Sequence, residues 1–300
     1  MTQPLTQRVG ASLAREVRSE VTDYARLLGE ESGASAVLFY GSNLRTGSLD
    51  GVLDFYVLLP GPQREVIWPR VSYREWDRRG KTLRAKIATM SLAKFAEASR
   101  GDSRDTTIWT RFVQPSALAW SKDGAAKDQV VHALSEAAKT ASRFAAALGP
   151  PEGTPDDFWR ALFIATYQAE FRVEDASRVN SILEVNAAHF DGLLFAAWEA
   201  NGFEVERRNN GQRLKPLLSP GRRDDLLREW KARQRLGKPL NILRLAKATT
   251  TFDGAARYGA WKLERHTGIA LEVTPFREKH PLLAMPGAAW ELWREKRRRT

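Results

Sequence analysis

Apolar positions recur at helical spacing near the start of the chain. Leu13, Val17, Val21, Tyr24 and Leu28 share one face, and Ser32-Gly33 closes the run, so the spacing predicts a helix over residues 11–29. The period then changes. AVLFY (36–40) reads as a buried strand, GSNLRTGSLDG as a Gly- and Ser-rich loop, and VLDFYVLLPG as a second strand ended by Pro60-Gly61. LRAKIATM (83–90) is a third strand candidate, and TTIWTRFVQP (106–115) has room for another short element before the WSKDG turn. A helix followed by strands makes residues 1–122 an α+β domain.

From Lys127 onward the pattern is helical. Val130, Val131, Leu134, Ala138, Ala141, Phe144, Ala145 and Leu148 form one stripe, stopped by Gly149-Pro150-Pro151. TPDDFW then supplies a helix start: Thr154 as N-cap, Pro155 in the first turn, and two aspartates against the positive helix end. This helix carries Phe158, Leu162, Phe163 and Tyr167 inward and runs to about Arg172. The next, over 175–200, buries Val179, Ile182, Leu183, Phe190, Leu194 and Trp198 before Asn201-Gly202. Shorter helices follow at 223–236, 240–250 and 254–266. The expected architecture is therefore α+β: a mixed sheet with flanking helices (1–122), a mainly helical domain (123–252) and a C-terminal segment (253–300).

One residue breaks the apolar pattern. Asp54 lies inside VLDFYVLL, where an unpaired carboxylate costs several kcal/mol to bury. The two-residue period puts Val52, Asp54, Tyr56 and Leu58 on one face. Gly41 lets the preceding turn close tightly and lets phosphate approach the main chain, where Ser42 and the following N–H groups can donate. A carboxylate on the adjacent strand can hold a divalent cation against a triphosphate. Turn and acid together describe a nucleotide site; the alternative is a satisfied structural aspartate.

Composition narrows the partners. A net charge of +11 implies an anionic one: nucleic acid, nucleotide or anionic membrane surface. There is no cysteine, which excludes disulfides, thiolate zinc sites and cysteine nucleophiles, and four histidines are too scattered for a His-rich metal site. No run is long enough to span a membrane, and the first 25 residues lack the apolar stretch of a secretory signal, so a cytoplasmic location is expected. The basic end, AWELWREKRRRT, combines Trp290 and Trp293 with Arg297 to Arg299; it reads either as a peripheral membrane-docking element or as a solvated tail. The tryptophans fall mostly at helix-core spacing rather than interleaved with basic residues, so no nucleic-acid partner is expected.

FYGSN (39–43) and VLDFYV (52–57) resemble the nucleotidyltransferase superfold typified by DNA polymerase beta, with Tyr56 where a second carboxylate usually stands. Within it, the chain resembles the mitochondrial-type phosphatidate cytidylyltransferases, the translocator assembly and maintenance family. There Tyr-Gly-Ser precedes Leu-Asp-Phe, and an apolar residue takes the second acid's place. LRAKIAT (83–89) resembles a family strand bearing a basic residue, with Arg84 its counterpart. IWTRFVQPSALAW (108–120) echoes another segment through Arg111, Gln114 and Pro115. LFIATYQAEFRVEDASRVNSILEVNAAHF (162–190) carries the most specific likeness, through Tyr167, Arg172, Asp175, Val179, Ile182, His189 and Phe190. Glu170 and Arg178 there replace a family Asp and Lys, and Lys262 to Gly268 is a weaker echo. The shorter first loop and the missing Gly after Lys262 are departures.

The resemblance implies attack of a lipid phosphate on the α-phosphorus of CTP with release of pyrophosphate, aided by Mg2+, on an anionic phospholipid at a membrane surface. Gly41, Ser42 and Asn43 would form the triphosphate cradle. Asp54 would hold the metal, with Glu170 the candidate second acid; its rival reading is a surface carboxylate paired with Arg172 or Arg178. Arg84, Arg111, Arg172, Arg178 and Lys262 are phosphate-binding candidates, since Arg grips phosphate oxygens in a fork, and Arg172 is the one placed in the catalytic set beside Asp54 and Ser42. His189 reads as structural. Two alternatives stay open: a nucleotidyltransferase for another phosphorylated lipid or a polar acceptor, and a non-catalytic relative that binds nucleic acid or membrane.

Overall fold

The alternating faces of AVLFY and VLDFYVLL decide the centre of the molecule. The computed structural model of the chain describes residues 3–78, 80–170, 176–267, 269, 272–279, 287 and 297. In it, β1 (Ala36–Tyr40) and β2 (Val52–Leu59) pair antiparallel, with Phe39 opposite Phe55 and Tyr40 opposite Asp54. With β3 (Arg70–Arg78), β4 (Lys81–Ser91) and β5 (Ser116–Ser121) they form a mixed sheet of order β3-β4-β2-β1-β5. Only the β2–β4 neighbours run parallel; the other pairs are antiparallel. The architecture is α+β, a mixed sheet flanked by helices and followed by a helical region.

Each face of the sheet has its own apolar cover. Val37, Phe39, Leu53, Phe55 and Val57 pack with Val21, Tyr24 and Leu28, while Leu38, Tyr40, Tyr56 and Leu58 join a larger cluster on the opposite face. This explains why the expected helix over 11–29 is two. In α1 (Leu5–Leu13), Leu13 belongs to the larger cluster, whereas in α2 (Ser19–Ser32), Val21 belongs to the smaller one. One straight helix cannot serve both faces of a sheet, so the chain breaks between them.

The Gly-Ser loop contains a short helix, α3 (Ser42–Thr46). β3, absent from the expectations, is an edge strand beside β4, its outer side bridged among the described residues only by Asp253, whose carbonyl accepts from the Tyr73 N–H at 2.8 Å. Its exposed Arg70 and Arg74 are typical of edges that must not pair with other chains, and they hide it from a search for apolar alternation. Next come α4 (Leu92–Arg100) and α5 (Thr107–Phe112), so the short element expected in 106–115 is a helix that leads into β5.

α6 (Gly124–Leu148) buries Val130, Leu134, Ala138, Ala141 and Phe144 on the stripe expected for it. α7 (Pro155–Ala169) starts where the capping signal predicts. Thr154 Oγ1 accepts from the Asp157 N–H, and the Asp157 carboxylate accepts from the Thr154 N–H at 2.8 Å. Thr154→Ala removes half of this reciprocal cap and should cost ~1 kcal/mol, read as a small fall in urea midpoint at unchanged slope.

The single helix expected over 175–200 is three: α8 (Ala176–Val185), α9 (Ala187–Phe190) and α10 (Leu193–Ala200), the last opening on Gly192 in a left-handed conformation. A hairpin of β6 (Val205–Arg208) and β7 (Arg213–Pro216) was not legible beforehand. The helices expected at 223–236 and 240–250 instead merge into α11 (Pro220–Thr251), which passes through Pro239. Anchors on both sides hold it: Arg233 donates to the Gly101 and Ser103 carbonyls, and Arg244 pairs with Asp105. At Gly237 a Cβ would lie 2.3 Å from the Ala169 carbonyl oxygen, so glycine is what lets α11 cross the end of α7. α12 (Ala255–Thr267) and α13 (Pro275–Lys279) follow.

Trp109, Trp159 and Trp198 are fully buried, and Trp68 and Trp230 nearly so. These side chains are core material, each worth a few kcal/mol of burial. Trp290, Trp293, Arg298 and Arg299 lie outside the described residues. No helix among the described residues is long and apolar enough to cross a membrane.

Candidate functional site

Asp54 and Gly41 meet at one end of the central strands. Gly41 follows β1 with φ +88°, a conformation that side chains disfavour, and a Cβ there would lie 2.8 Å from Asp54 Oδ2. Any other residue would therefore meet both backbone strain and the carboxylate. The turn and the acid are a fitted pair, with Asp54 half-buried and Gly41 and Ser42 exposed. Asn43 is buried, and its amide donates to the carbonyls of Ser48 (2.9 Å) and Asp50 (2.8 Å), closing the loop on itself. It orients the turn from behind.

Cations surround the acid. The parallel register sets Lys86 of β4 beside Asp54 on the same face. Arg111, on α5, donates to the Tyr40 hydroxyl at 3.1 Å, stands over that ring, and interacts electrostatically with Asp54. Burial pushes the Asp54 carboxyl up, and Lys86 and Arg111 pull it back. Lys86 is exposed as a residue, yet partial desolvation by the surrounding protein pulls its ammonium down; Asp54 raises it, while Arg111 and Lys262 lower it further. Lys262 of α12, 176 positions after Lys86, thus reaches the same electrostatic neighbourhood. Burial also raises the Tyr40 phenol, which therefore meets Arg111 as a neutral acceptor.

Glu170 ends α7 and is 3% exposed, so it is not a surface carboxylate. It accepts from Thr106 Oγ1 at 2.7 Å and lies in the field of Arg111 and Arg244. Arg244 reaches in from α11 with a two-pronged grip on Asp105, at 2.9 and 3.0 Å. Arg84 is engaged: Nε lies 3.3 Å from Glu75, and the guanidinium stands 5.7 Å from the Trp261 ring centre. Arg172 and the Arg178 side chain lie outside the described residues.

No group of three or more histidine or acidic side chains among the described residues could by itself hold a metal. The donor set fits the other way Mg2+ is bound, through one carboxylate completed by substrate phosphates and water. Asp54, partly solvated and facing an open turn, suits that role, and Lys86 and Arg111 suit the phosphates that would accompany the ion.

His189 stands apart from this group. Its Nε2 lies 2.8 Å from the Val113 carbonyl and its Nδ1 3.3 Å from Ser12 Oγ. Burial, foremost, pulls its pKa down to about 4. The folded state thus favours the neutral ring, a contribution fully present above the unfolded value of about 6.5 and lost as pH falls toward about 4. Denaturant melts between those limits should show wild-type stability falling with pH, and His189→Gln should flatten that slope.

Two residues of this group escaped the sequence reading. Lys86 lies two positions beyond Arg84 on the same strand parity, a signal that becomes decisive only once the parallel register is known. Tyr40 was read as an apolar strand end, although its hydroxyl holds Arg111. A scan of protein-family models returns no match for this chain, and a search of curated proteins returns none either.

Proposed function

We propose that the protein transfers a cytidylyl group from CTP to the phosphate of an anionic phospholipid, phosphatidate, releasing pyrophosphate. The observation that carries the nucleotidyl-transfer part is the fit of Asp54 against Gly41, with Lys86 and Arg111 facing the same carboxylate. Cytidine and phosphatidate are chosen on the resemblance of residues 39–57 and 162–190.

The chemistry demands alignment and charge neutralisation more than a covalent nucleophile. An acceptor phosphate oxygen attacks the α-phosphorus; the bond from that phosphorus to the bridging oxygen breaks, and pyrophosphate leaves with the electron pair. Gly41 gives the triphosphate room at the main chain, and Ser42 offers its hydroxyl. Lys86, Lys262 and Arg111 offset the charge that gathers on the leaving pyrophosphate. Asp54 would be the protein ligand of a bound Mg2+, which would supply further neutralisation. We assign Glu170 to balancing Arg111 and Arg244 from behind rather than to the metal. Such an enzyme meets its lipid by docking at a membrane surface.

Incubation with radiolabelled CTP, Mg2+ and phosphatidate in mixed micelles tests the reading. Label should move into the lipid phase in step with pyrophosphate release. Absence of a lipid-linked nucleotide with every phospholipid tried, together with salt-sensitive RNA binding, would overturn it.

A further inference from the structure

A cavity of about 330 Å³ opens between α1, the end of α5, α6 and the α9–α10 turn. Gly41, Ser42, Asp54, Lys86 and Arg111 are absent from its lining. Its lining is mixed. Leu13, Phe112, Leu134 and Leu193, all buried members of the main core, line it together with Arg8, Arg15 and the polar Ser12, Gln114 and Ser116. Arg8 is committed to the backbone, donating to the carbonyl oxygens of His189 and Asp191, which ties α1 to the α9–α10 turn. His189 is committed as well, between Val113 and Ser12. Arg15, exposed at the rim, is the cation placed to meet an incoming group. The fields of Arg8 and Arg15 both reach the His189 ring, so the potential inside favours an anion.

Apolar walls gain from excluding water at about 25 cal/mol per Å², and apolar cavities take up apolar guests. Matched with a cation at the rim, such a wall selects a molecule with both characters. The volume, at the small end of ligand sites, suits one chain rather than two. We propose that this cavity binds a single-chain amphiphile with an anionic head, its carboxylate or phosphate on Arg15 and its chain against Leu13, Phe112, Leu134 and Leu193. The cavity shares a short helix with the transfer site, because Phe112 follows Arg111 directly.

Fluorescence titration of the full chain with cis-parinaric acid tests this. Saturable one-site binding is expected. Ala188→Trp at the exposed rim and Leu134→Trp in the wall should each weaken it about tenfold or more, Arg15→Ala several-fold, and Asp54→Asn not at all. Lauric acid and dodecyl phosphate should displace the probe, which distinguishes carboxylate from phosphate heads by their relative potency; inorganic phosphate should not. Should Leu134→Trp fail to fold, Ala188→Trp decides. Non-saturable binding, unchanged affinity in the folded rim variant, or displacement by inorganic phosphate alone overturns the proposal.

Discussion

Asp54→Asn should abolish the proposed nucleotidyl transfer, by ~10³-fold or more, since it removes the carboxylate proposed to hold the metal while keeping its shape. The same substitution should leave the fold as stable as the wild type, or more so, at neutral pH. Burial raises the Asp54 pKa, so folding favours its protonated form. That contribution is present below the unfolded value of about 3.9 and is lost as pH rises through the folded value. At neutral pH the wild type carries an ionised group that its surroundings disfavour, and asparagine relieves the cost. The stability advantage of the variant should therefore shrink on acidification. Lipid-linked label and pyrophosphate release read the first effect; thermal melts at two pH values read the second. A residue kept for structure would show the reverse, lost stability with activity following it, and that outcome would remove Asp54 from the reaction.

Local signals made much of this legible. The two-residue period of VLDFYVLL gave β2 its faces, and the glycine before Ser42 announced a turn that only glycine could make; Asp54 stood out because nothing else on that strand is charged. Thr154, Pro155 and Asp157 marked the start of α7 because capping is settled within four residues. What escaped depends on partners far along the chain. Lys86 gains its meaning from lying parallel to Asp54, and Lys262 from a helix that folds back to the sheet. The stripe from Leu13 to Val21 looked continuous because periodicity does not reveal which face of a sheet each turn will cover. Glu170 sits near the right elements, but whether it lies on the surface or beneath Thr106 was not written in its neighbours. β3 went unseen because an edge strand is built from charges.

Arg244→Met should destabilise the protein by ~3–5 kcal/mol, the cost of leaving one partner of a buried ion pair alone. Asp105 is 6% exposed as a residue and takes both prongs of the guanidinium, which also donates to the Trp68 carbonyl and lies over the Trp68 ring. A loss of that size should lower Tm by on the order of 10 °C. Arg244→Lys should fall between, since an ammonium keeps the charge and loses the fork. The informative variant is the pair Arg244→Met with Asp105→Asn. Asp105 accepts from the Thr107 N–H on Oδ1 and from the Thr107 hydroxyl on Oδ2; asparagine keeps the first acceptor and can donate its amide N–H to the hydroxyl oxygen instead, and it carries no stranded charge, so the double variant should recover much of the lost stability. Failure of Asp105→Asn to rescue would assign the loss to packing of Arg244 on Trp68. Rescue would identify the pair, 139 residues apart in the chain, as the electrostatic pin holding α11 to the segment before α5, the helix that carries Arg111.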